Sequence, residues 1–291
     1  YQNNIEIEKK LTIEEAMISA KVSYEQDIIN DFEILHIDPS FDIAGKLTTD
    51  QIILRVKELY DFCIKTSKKY NKEIIIEIGT EEQSGGTNTV EELEYSLKEI
   101  IKFCSIKNYP IPFFTVVQTG TKVMETKNIG LFKDVFDNFK NSQLKNLLKI
   151  CEKYGVHIKQ HNTDYIEDKY LIKHPAFGIH AANVAPEYAI AETRKIFEIL
   201  EKNKLDSIKS KLIKLCVDSN KWFKWAIKPD KISDYEKAII CCHYLYSSDD
   251  FKNIKEQIAN KIDVTILDID TILKKTVKNS ILRYVKNFSL I

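Results

Sequence analysis

The sequence predicts an α/β fold of the TIM (β/α)8 barrel type, and three features of the 291-residue chain indicate it. Apolar strand-like segments alternate with helical ones, a polar residue ends each strand, and the strands are nearly continuous runs of Ile, Val and Phe. Parallel strands crossed by helices are covered on both faces, which favours such continuous runs. We predict a partial barrel over residues 1–204 and a helical C-terminal extension over residues 205–291.

The predicted strands and helices follow one another at a regular spacing. Five segments have the composition of strands, namely residues 32–38, 73–79, 111–118, 156–161 and the short 176–180. Two of the intervening helices are predicted at residues 51–70 and 90–103, each with a Thr at its start and an apolar face at helical spacing. After residue 205 the pattern predicts helices at 206–227, 234–246 and 269–288, with a short extended stretch at 263–268.

Five strands cannot close a barrel, and an open edge of parallel strands favours aggregation. The barrel interpretation therefore requires three more strands before Tyr1, or another element that covers the edge.

Composition limits the classes of partner. The 43 basic residues balance the 43 acidic ones, so nothing favours a nucleic acid or an anionic membrane, and a small-molecule substrate fits better. No apolar run approaches the roughly 20 residues that a membrane span needs.

The six cysteines lack CxxC spacing and lie mostly among apolar residues, which predicts reduced, buried thiols and a cytoplasmic protein.

Polar residues at three strand ends are candidates for proton transfer and substrate binding. Asp38 follows the first strand, where Pro39 stops the ladder; it would move a proton while Ser40 binds a substrate hydroxyl. Glu81 would act as a base or accept a hydroxyl, and Gln118 would orient a hydroxyl, because an amide is a poor proton shuttle. In the structural alternative, Asp38 caps its loop and Glu81 is an ordinary loop carboxylate.

Two histidines, His161 and His180, each follow an apolar strand, and we predict that they share a divalent metal ion such as zinc. Neutral imidazole is a common zinc ligand, and neighbouring strands hold two rings at a fixed separation. A third ligand is required. Asp164 would orient His161 or act directly in the reaction. Residues beside the histidines would bind a phosphate at the following helix start, namely Asn162, Thr163 and Asn183.

The order of these motifs resembles the Z subunits of class II tagatose-bisphosphate aldolases. That family has an HLDAS-like strand end, an IGTE segment followed by a Gly-Gly pair, a VVQPG strand end and an HSTDY strand end. The similar segments here are residues 36–40, 78–81 with 85–86, 116–120 and 161–165. The resemblance covers about residues 12–200 and extends more faintly into the helical tail.

The resemblance implies a class II aldolase-like barrel in which residues 36–40 end the fourth of eight strands. The first three strands, with the Gly-Gly-Asp-His motif that would supply the third metal ligand, would then lie outside this chain. One departure is informative, because the last strand of the Z subunits ends in a Lys-Val-Gly-Pro-like sequence where this chain has His180. Z subunits are described as non-catalytic helpers, and His180 favours a chain that binds metal itself.

We weigh three hypotheses for the function. The first is a metal-dependent enzyme that acts on a phosphorylated ketose or related sugar by aldol cleavage or epimerisation, with the ion polarising the carbonyl. The second is a non-catalytic subunit that stabilises a separate class II aldolase; a homo-oligomer is a further possibility. The third is a xylose-isomerase-like epimerase with carboxylate metal ligands at Asp38, Glu81 and Asp164.

Overall fold

The computed structural model describes residues 9–42, 45, 47–79 and 89–290, and they form a mixed α/β protein. These residues divide into two compact units. The first contains the described residues up to 121, then 130–161 and 176–182. The second contains residues 122–129, 162–175 and 183 onwards. The predicted boundary between residues 204 and 205 stays a prediction.

Helices and strands alternate through the first two thirds of the chain, and helices follow. The strands are β1 (Ile34–Ile37), β2 (Ile75–Ile78), β3 (Phe114–Val117), β4 (Val123–Met124), β5 (Lys127–Asn128), β6 (His157–Gln160) and β7 (Ala181–Ala182). The α-helices are α1 (Ile13–Ile29), α2 (Thr49–Lys69), α3 (Val90–Lys107), α4 (Phe132–Asp137), α5 (Gln143–Tyr154), α6 (Asp168–Leu171), α7 (His174–Phe177), α8 (Pro186–Lys202), α9 (Asp206–Asp218), α10 (Asp234–Cys241), α11 (Asp249–Lys261) and α12 (Ile266–Asn287). In the described part of the chain, none of these helices combines the length and the apolar character needed to cross a membrane.

A five-stranded parallel sheet forms the centre of the first unit, in the order β1, β2, β3, β6, β7. Every neighbouring pair is parallel, and the spatial order never reverses relative to the chain. Right-handed crossovers therefore place the connecting helices on one face of the sheet. The alternating strands and helices of the prediction are confirmed in this coarser form.

The two faces of the sheet differ in burial. The helix-covered face is fully buried and includes Leu35, Ile37 and Ile76. On the other face Ile34 and Ile75 remain 48% and 38% exposed, so this face is half open. The expectation that both faces are covered is therefore wrong for the described residues, and β1, β3 and β6 alternate in burial as strands with one covered face do.

Local sequence signals explain the helices on the covered face. Thr48 caps α2 in a reciprocal capping box with Gln51, and the Thr89 side chain accepts the Glu92 amide at the start of α3. Apolar residues of α2 at helical spacing, among them Val56, are completely buried. The predicted helices at 51–70 and 90–103 are thus confirmed, with small changes at their ends.

The second unit is mainly helical, with an apolar core that draws on α8 to α12 and includes Phe197, Leu212 and Cys216. Three details correct the prediction. Helix α9 ends at Asp218, because Asn220 takes a left-handed φ of 53°. Helix α11 was not predicted. The segment 263–268 is not extended, because Thr265 caps α12 in a capping box. All six cysteines are buried and free, as predicted.

Gly120 offers a test of the packing between the β3 end and α4. Its φ is +89°, and an added Cβ would lie 3.0 Å from the Phe132 amide nitrogen. Gly155 also has a positive φ, of +68°, but its nearest contact would be 3.8 Å away. We expect Gly120→Ala to lower the free energy of unfolding by about 2–4 kcal/mol and Gly155→Ala by about 1 kcal/mol, as urea denaturation would measure. Equal losses would contradict the backbone contact.

Candidate functional site

Charged and polar side chains gather on the half-open face of the sheet in the first unit. His36, Glu77, Phe114 and His157 occupy one register row across four strands. Lys159 lies two residues further along β6 and reaches diagonally across β3. We refer to these residues and the neighbouring strand ends as the sheet-face cluster, which consists of His36, Asp38, Glu77, Gln118, Lys159 and His161.

Glu77 is the central residue of the sheet-face cluster. Its side chain is 2% exposed, with Lys159 Nζ 2.7 Å from Oε2 and His36 Nδ1 2.8 Å from Oε1. Burial by itself raises the pKa of the Glu77 carboxyl, but hydrogen bonds from His36 and Lys159 outweigh it, and the pKa is lowered overall. Glu77 is therefore an ionised, buried carboxylate with a donor on each oxygen.

His36 is fixed at its backbone and at one ring nitrogen. Tyr24 of α1 donates a hydrogen bond from its hydroxyl to the His36 carbonyl oxygen at 2.7 Å. Because Nδ1–H donates to Glu77, the neutral ring carries its lone pair on Nε2. The ring is 45% exposed, so this nitrogen is accessible. A buried carboxylate that orients a partly open imidazole is an arrangement suited to general acid–base chemistry.

Asp38 lies beside His36 at the end of β1. Its Oδ2 is 3.9 Å from His36 Nε2, and its Oδ1 accepts the Ser40 amide at 3.0 Å. Ser40 thus holds Asp38 through its backbone, whereas substrate binding by its hydroxyl stays a prediction. Gly79 makes this approach possible, because a Cβ there would lie 3.0 Å from His36 Cε1 and 3.1 Å from Asp38 Cβ.

His161 and Gln118 form a pair at the ends of β6 and β3. Gln118 is 3% exposed, and its Nε2 donates to His161 Nδ1 at 2.8 Å. Burial lowers the pKa of His161, with Asp38 partly opposing it, so the ring is neutral at pH 7. Gln118 therefore orients His161, a contact that the sequence analysis did not foresee.

The structure does not form the predicted metal pair of His161 and His180. The His161 ring turns toward β3, whereas His180 leads into β7 on the other side of β6. His180 packs against the His157 ring, 4.4 Å between centroids, and its Nδ1 accepts the Ile158 amide at 3.3 Å. Along β6, residues 158 and 161 are about 10 Å apart.

The hydrogen bond of His180 also argues against a shared ion. Its Nδ1 lone pair accepts the Ile158 amide, so Nε2 carries the proton of the neutral ring, whereas a metal ligand needs a free nitrogen lone pair. Within the described ranges, no group of three or more His, Cys, Asp or Glu residues is arranged to hold a metal. The residues present thus do not fit the predicted zinc site.

Asp164, in the second unit, caps a helix. It is 1% exposed, and its Oδ1 accepts the Ala185 amide at 3.0 Å and the Glu187 amide at 2.9 Å. Burial raises the pKa of Asp164 to about 6, and the two backbone hydrogen bonds only partly oppose this effect. The carboxylate occupies the start of α8, where a phosphate was expected. Asp164 therefore has a structural role at the start of α8, whereas its predicted role, to orient His161 or to act directly in the reaction, stays a prediction.

The residues predicted to bind phosphate take part in the same local structure. Thr163 is completely buried, and its amide donates to the Asn183 carbonyl oxygen at 2.8 Å. Asn162 adopts a left-handed φ of 50°, and its carbonyl oxygen accepts from Asn128. The burial of Thr163 removes its hydroxyl from solvent, which corrects that assignment. Phosphate binding by Asn162 or Asn183 stays a prediction.

Sequence reasoning missed Glu77 and Lys159 because it searched strand ends. Both lie inside strands, and a charged residue within an otherwise apolar strand is the signal that would have found them. The remaining predicted residue, Glu81, lies outside the described residues, as do Gly85 and Gly86.

Comparison with known proteins shows the fold alone. The sequence matches no protein-family model and no curated protein. The structure is similar to a probable tagatose 6 phosphate kinase from Sinorhizobium meliloti 1021, with 14% identity and a TM-score of 0.71 over 95% of this chain and 78% of that one. It is also similar to the glycerol-complexed fructuronate-tagaturonate epimerase UxaE from Cohnella laeviribosi, with 12% identity and a TM-score of 0.57 over 96% of this chain and 67% of that one. The resemblance to aldolase Z subunits stays a prediction.

The buried Asp164 carboxyl predicts a pH dependence of stability. Its pKa is about 6 in the folded protein and 3.8 ordinarily, so the folded state binds this proton more tightly. The free energy of unfolding should therefore fall as pH rises from about 4 to about 6, by roughly 3 kcal/mol from this group. Asp164→Asn keeps an oxygen acceptor for the helix amides. In this variant the free energy of unfolding, measured by urea denaturation, should no longer fall between pH 4 and 6.

Exposed Asp230 provides the control for this experiment. Asp230→Asn should follow the wild-type pH profile. If the Asp164→Asn profile also runs parallel to the wild-type profile between pH 4 and 6, the assignment of a raised pKa to Asp164 is wrong.

Proposed function

We propose that this protein is an enzyme that acts on an acidic ketohexose by proton transfer beside the keto group, leading to epimerisation or aldol cleavage. The compared structures are named for tagatose 6-phosphate and for fructuronate and tagaturonate. All three compounds are six-carbon keto sugars with an anionic group at carbon 6. The observation that carries the proposal is the buried Glu77 carboxylate, which orients the accessible imidazole of His36.

We also propose that the sheet is part of a TIM barrel. The unreversed strand order and the helices on one face support this, because a doubly wound sheet would reverse its order and carry helices on both faces. In a barrel the half-open face becomes the interior. Asp38, Gln118 and His161 then lie just past the carboxyl ends of β1, β3 and β6, the end at which barrel enzymes bind their substrates.

His36 is the proton carrier in this proposal. Its Nε2 lone pair removes a proton from a substrate hydroxyl or from the carbon beside the carbonyl, and the resulting imidazolium faces the Glu77 carboxylate 2.8 Å away. Glu77 thus stabilises the charge that develops on the ring and holds the required tautomer. Asp38, 3.9 Å from Nε2, accepts a substrate hydroxyl or takes part in the transfer.

Lys159 and His161 supply the positive and hydrogen-bond-donating side of the cluster. The Lys159 ammonium lies on the open face, and the neutral His161 imidazole carries one N–H group that can donate a hydrogen bond. Groups of this kind stabilise the oxyanion that forms when a ketose carbonyl becomes an enediolate. A metal ion would supply the same polarisation in the predicted zinc mechanism, but His161 and His180 do not fit it, and no step here uses one.

Replacement of His36 tests the proposal. We expect His36→Gln to lower kcat on the active ketohexose by about 10²–10⁴-fold with a small change in KM, because the ring moves protons and contributes little to binding. Tagatose 6-phosphate, tagatose 1,6-bisphosphate, fructuronate and tagaturonate are the substrates to test. Nuclear magnetic resonance would detect both new epimers and cleavage products.

His157 is the matched control for this variant. It lies in the same register row, but its ring contacts Phe113, Phe114 and His180, and it forms no ion pair with a carboxylate of the described residues. His157→Gln should keep most of the activity. If wild-type protein turns over none of these sugars but stabilises a purified class II aldolase against heat, the proposal is wrong and the helper-subunit hypothesis replaces it.

A further inference from the structure

We propose that Lys159 forms a covalent imine with the keto carbonyl of the substrate. The inference rests on the proposed function and deepens it, because it names the group that activates the carbonyl. It starts from an unusual placement, since Lys159 projects from the middle of a sheet strand onto the half-open face, with Nζ 2.7 Å from the buried Glu77 carboxylate. Its side chain is 21% exposed, so Nζ is both anchored and within reach of a ligand.

The position of Lys159 on β6 restricts the motion of its amine. Strand residues 157–160 pair with β3 on one side, and Lys159 and Gln160 also pair with β7 on the other. Sites built on strands hold reacting atoms more precisely than sites on loops. Lys57 provides a contrast, because it is equally exposed at 22% and lies 3.2 Å from Glu99, but it belongs to α2, outside the sheet-face cluster. Burial of the partner also differs, with Glu77 at 2% exposed and Glu99 at 28%.

The reaction balances in atoms and charge. The Lys159 ammonium first releases a proton to solvent, which reaches this partly exposed side chain, and the neutral amine adds to the keto carbon to form a carbinolamine. Protonation of the carbinolamine hydroxyl by a proton taken back from solvent releases water and leaves a protonated imine on Nζ. The sum is one ketone and one ammonium giving one iminium ion and one water, with no change in charge.

Glu77 stabilises both the ammonium ion before the reaction and the iminium ion after it. A buried carboxylate without a positive partner is costly, and the lysine nitrogen carries a positive charge before the reaction and after it. The iminium ion would thus keep the ion pair that the ammonium makes. It also withdraws electrons from the neighbouring carbon, so that His36 can remove a proton there or assist carbon–carbon cleavage. One cluster then contains the electrophile, its counter-ion and the base.

Borohydride trapping tests the inference on the wild-type chain. The protein is incubated with the ketohexose on which it is active, tagatose 6-phosphate in the first instance, and sodium borohydride is added to reduce any imine. We expect one adduct per chain whose mass is that of the sugar less one oxygen atom. Peptide mapping should place it on Lys159. Trapping on the wild-type chain does not depend on the folding of any variant.

Two variants complete the test. Lys159→Arg keeps a cation beside Glu77 but cannot form an imine, so it should lose the adduct and at least 10³-fold in kcat. Lys57→Arg should keep both the adduct on Lys159 and the wild-type kcat. An adduct spread over many lysines, or turnover by the wild-type chain without any adduct on Lys159, overturns the inference and leaves the proposed function intact. Absence of binding and turnover with every sugar tested overturns both.

Discussion

A buried negative charge on the open side of the sheet organises the first unit. Glu77 is 2% exposed, and each of its oxygens has a donor from a different strand, His36 of β1 and Lys159 of β6. A buried carboxylate that lost either partner would be strongly destabilised, so these contacts help to fix the strand register. A slip of one residue in β2 would turn Glu77 toward the apolar helix layer, where Ile76 and Ile78 now lie. The strand order and the cluster therefore depend on each other.

The parts of the fold that sequence predicted are those with local, periodic causes. Helices α2 and α3 begin at Thr caps and carry apolar residues at a spacing of three to four, and the strands that precede and follow them are rich in Ile and Val. The site was harder because its contacts join residues far apart in the chain. Glu77 and Lys159 are separated by 82 positions, and only the parallel register, with β3 between them, makes their side chains meet. The capping role of Asp164 was missed for the same reason, since its partners are the amides of Ala185 and Glu187.

The histidines illustrate why residue type alone does not define a metal site. His161 and His180 both follow strands, as metal ligands in barrels do, yet His161 pairs with Gln118 and the Nδ1 lone pair of His180 accepts the Ile158 amide. A neutral imidazole has a single lone pair, so that one hydrogen bond converts a ligand into a donor. Which ring nitrogen can bind a metal depends on the hydrogen-bond partner of the other nitrogen, and that partner is far from the histidine in the sequence. Here the partner is Gln118 for His161 and the Ile158 backbone amide for His180.

The half-open face also explains how one cluster combines a buried charge with accessible reactive groups. Exposure rises from 2% at Glu77 to 21% at Lys159 and 45% at His36, so solvent reaches the nitrogens while the carboxylate between them stays dry. In a low-dielectric setting the field of the carboxylate acts strongly on both neighbours, whereas a solvated Glu at the same distance would be screened. Each nitrogen can therefore gain or lose a positive charge under the influence of a fixed counter-ion. That arrangement suits a reaction in which charge appears first on one nitrogen and then on the other, as proton abstraction by His36 beside an imine on Lys159 would require.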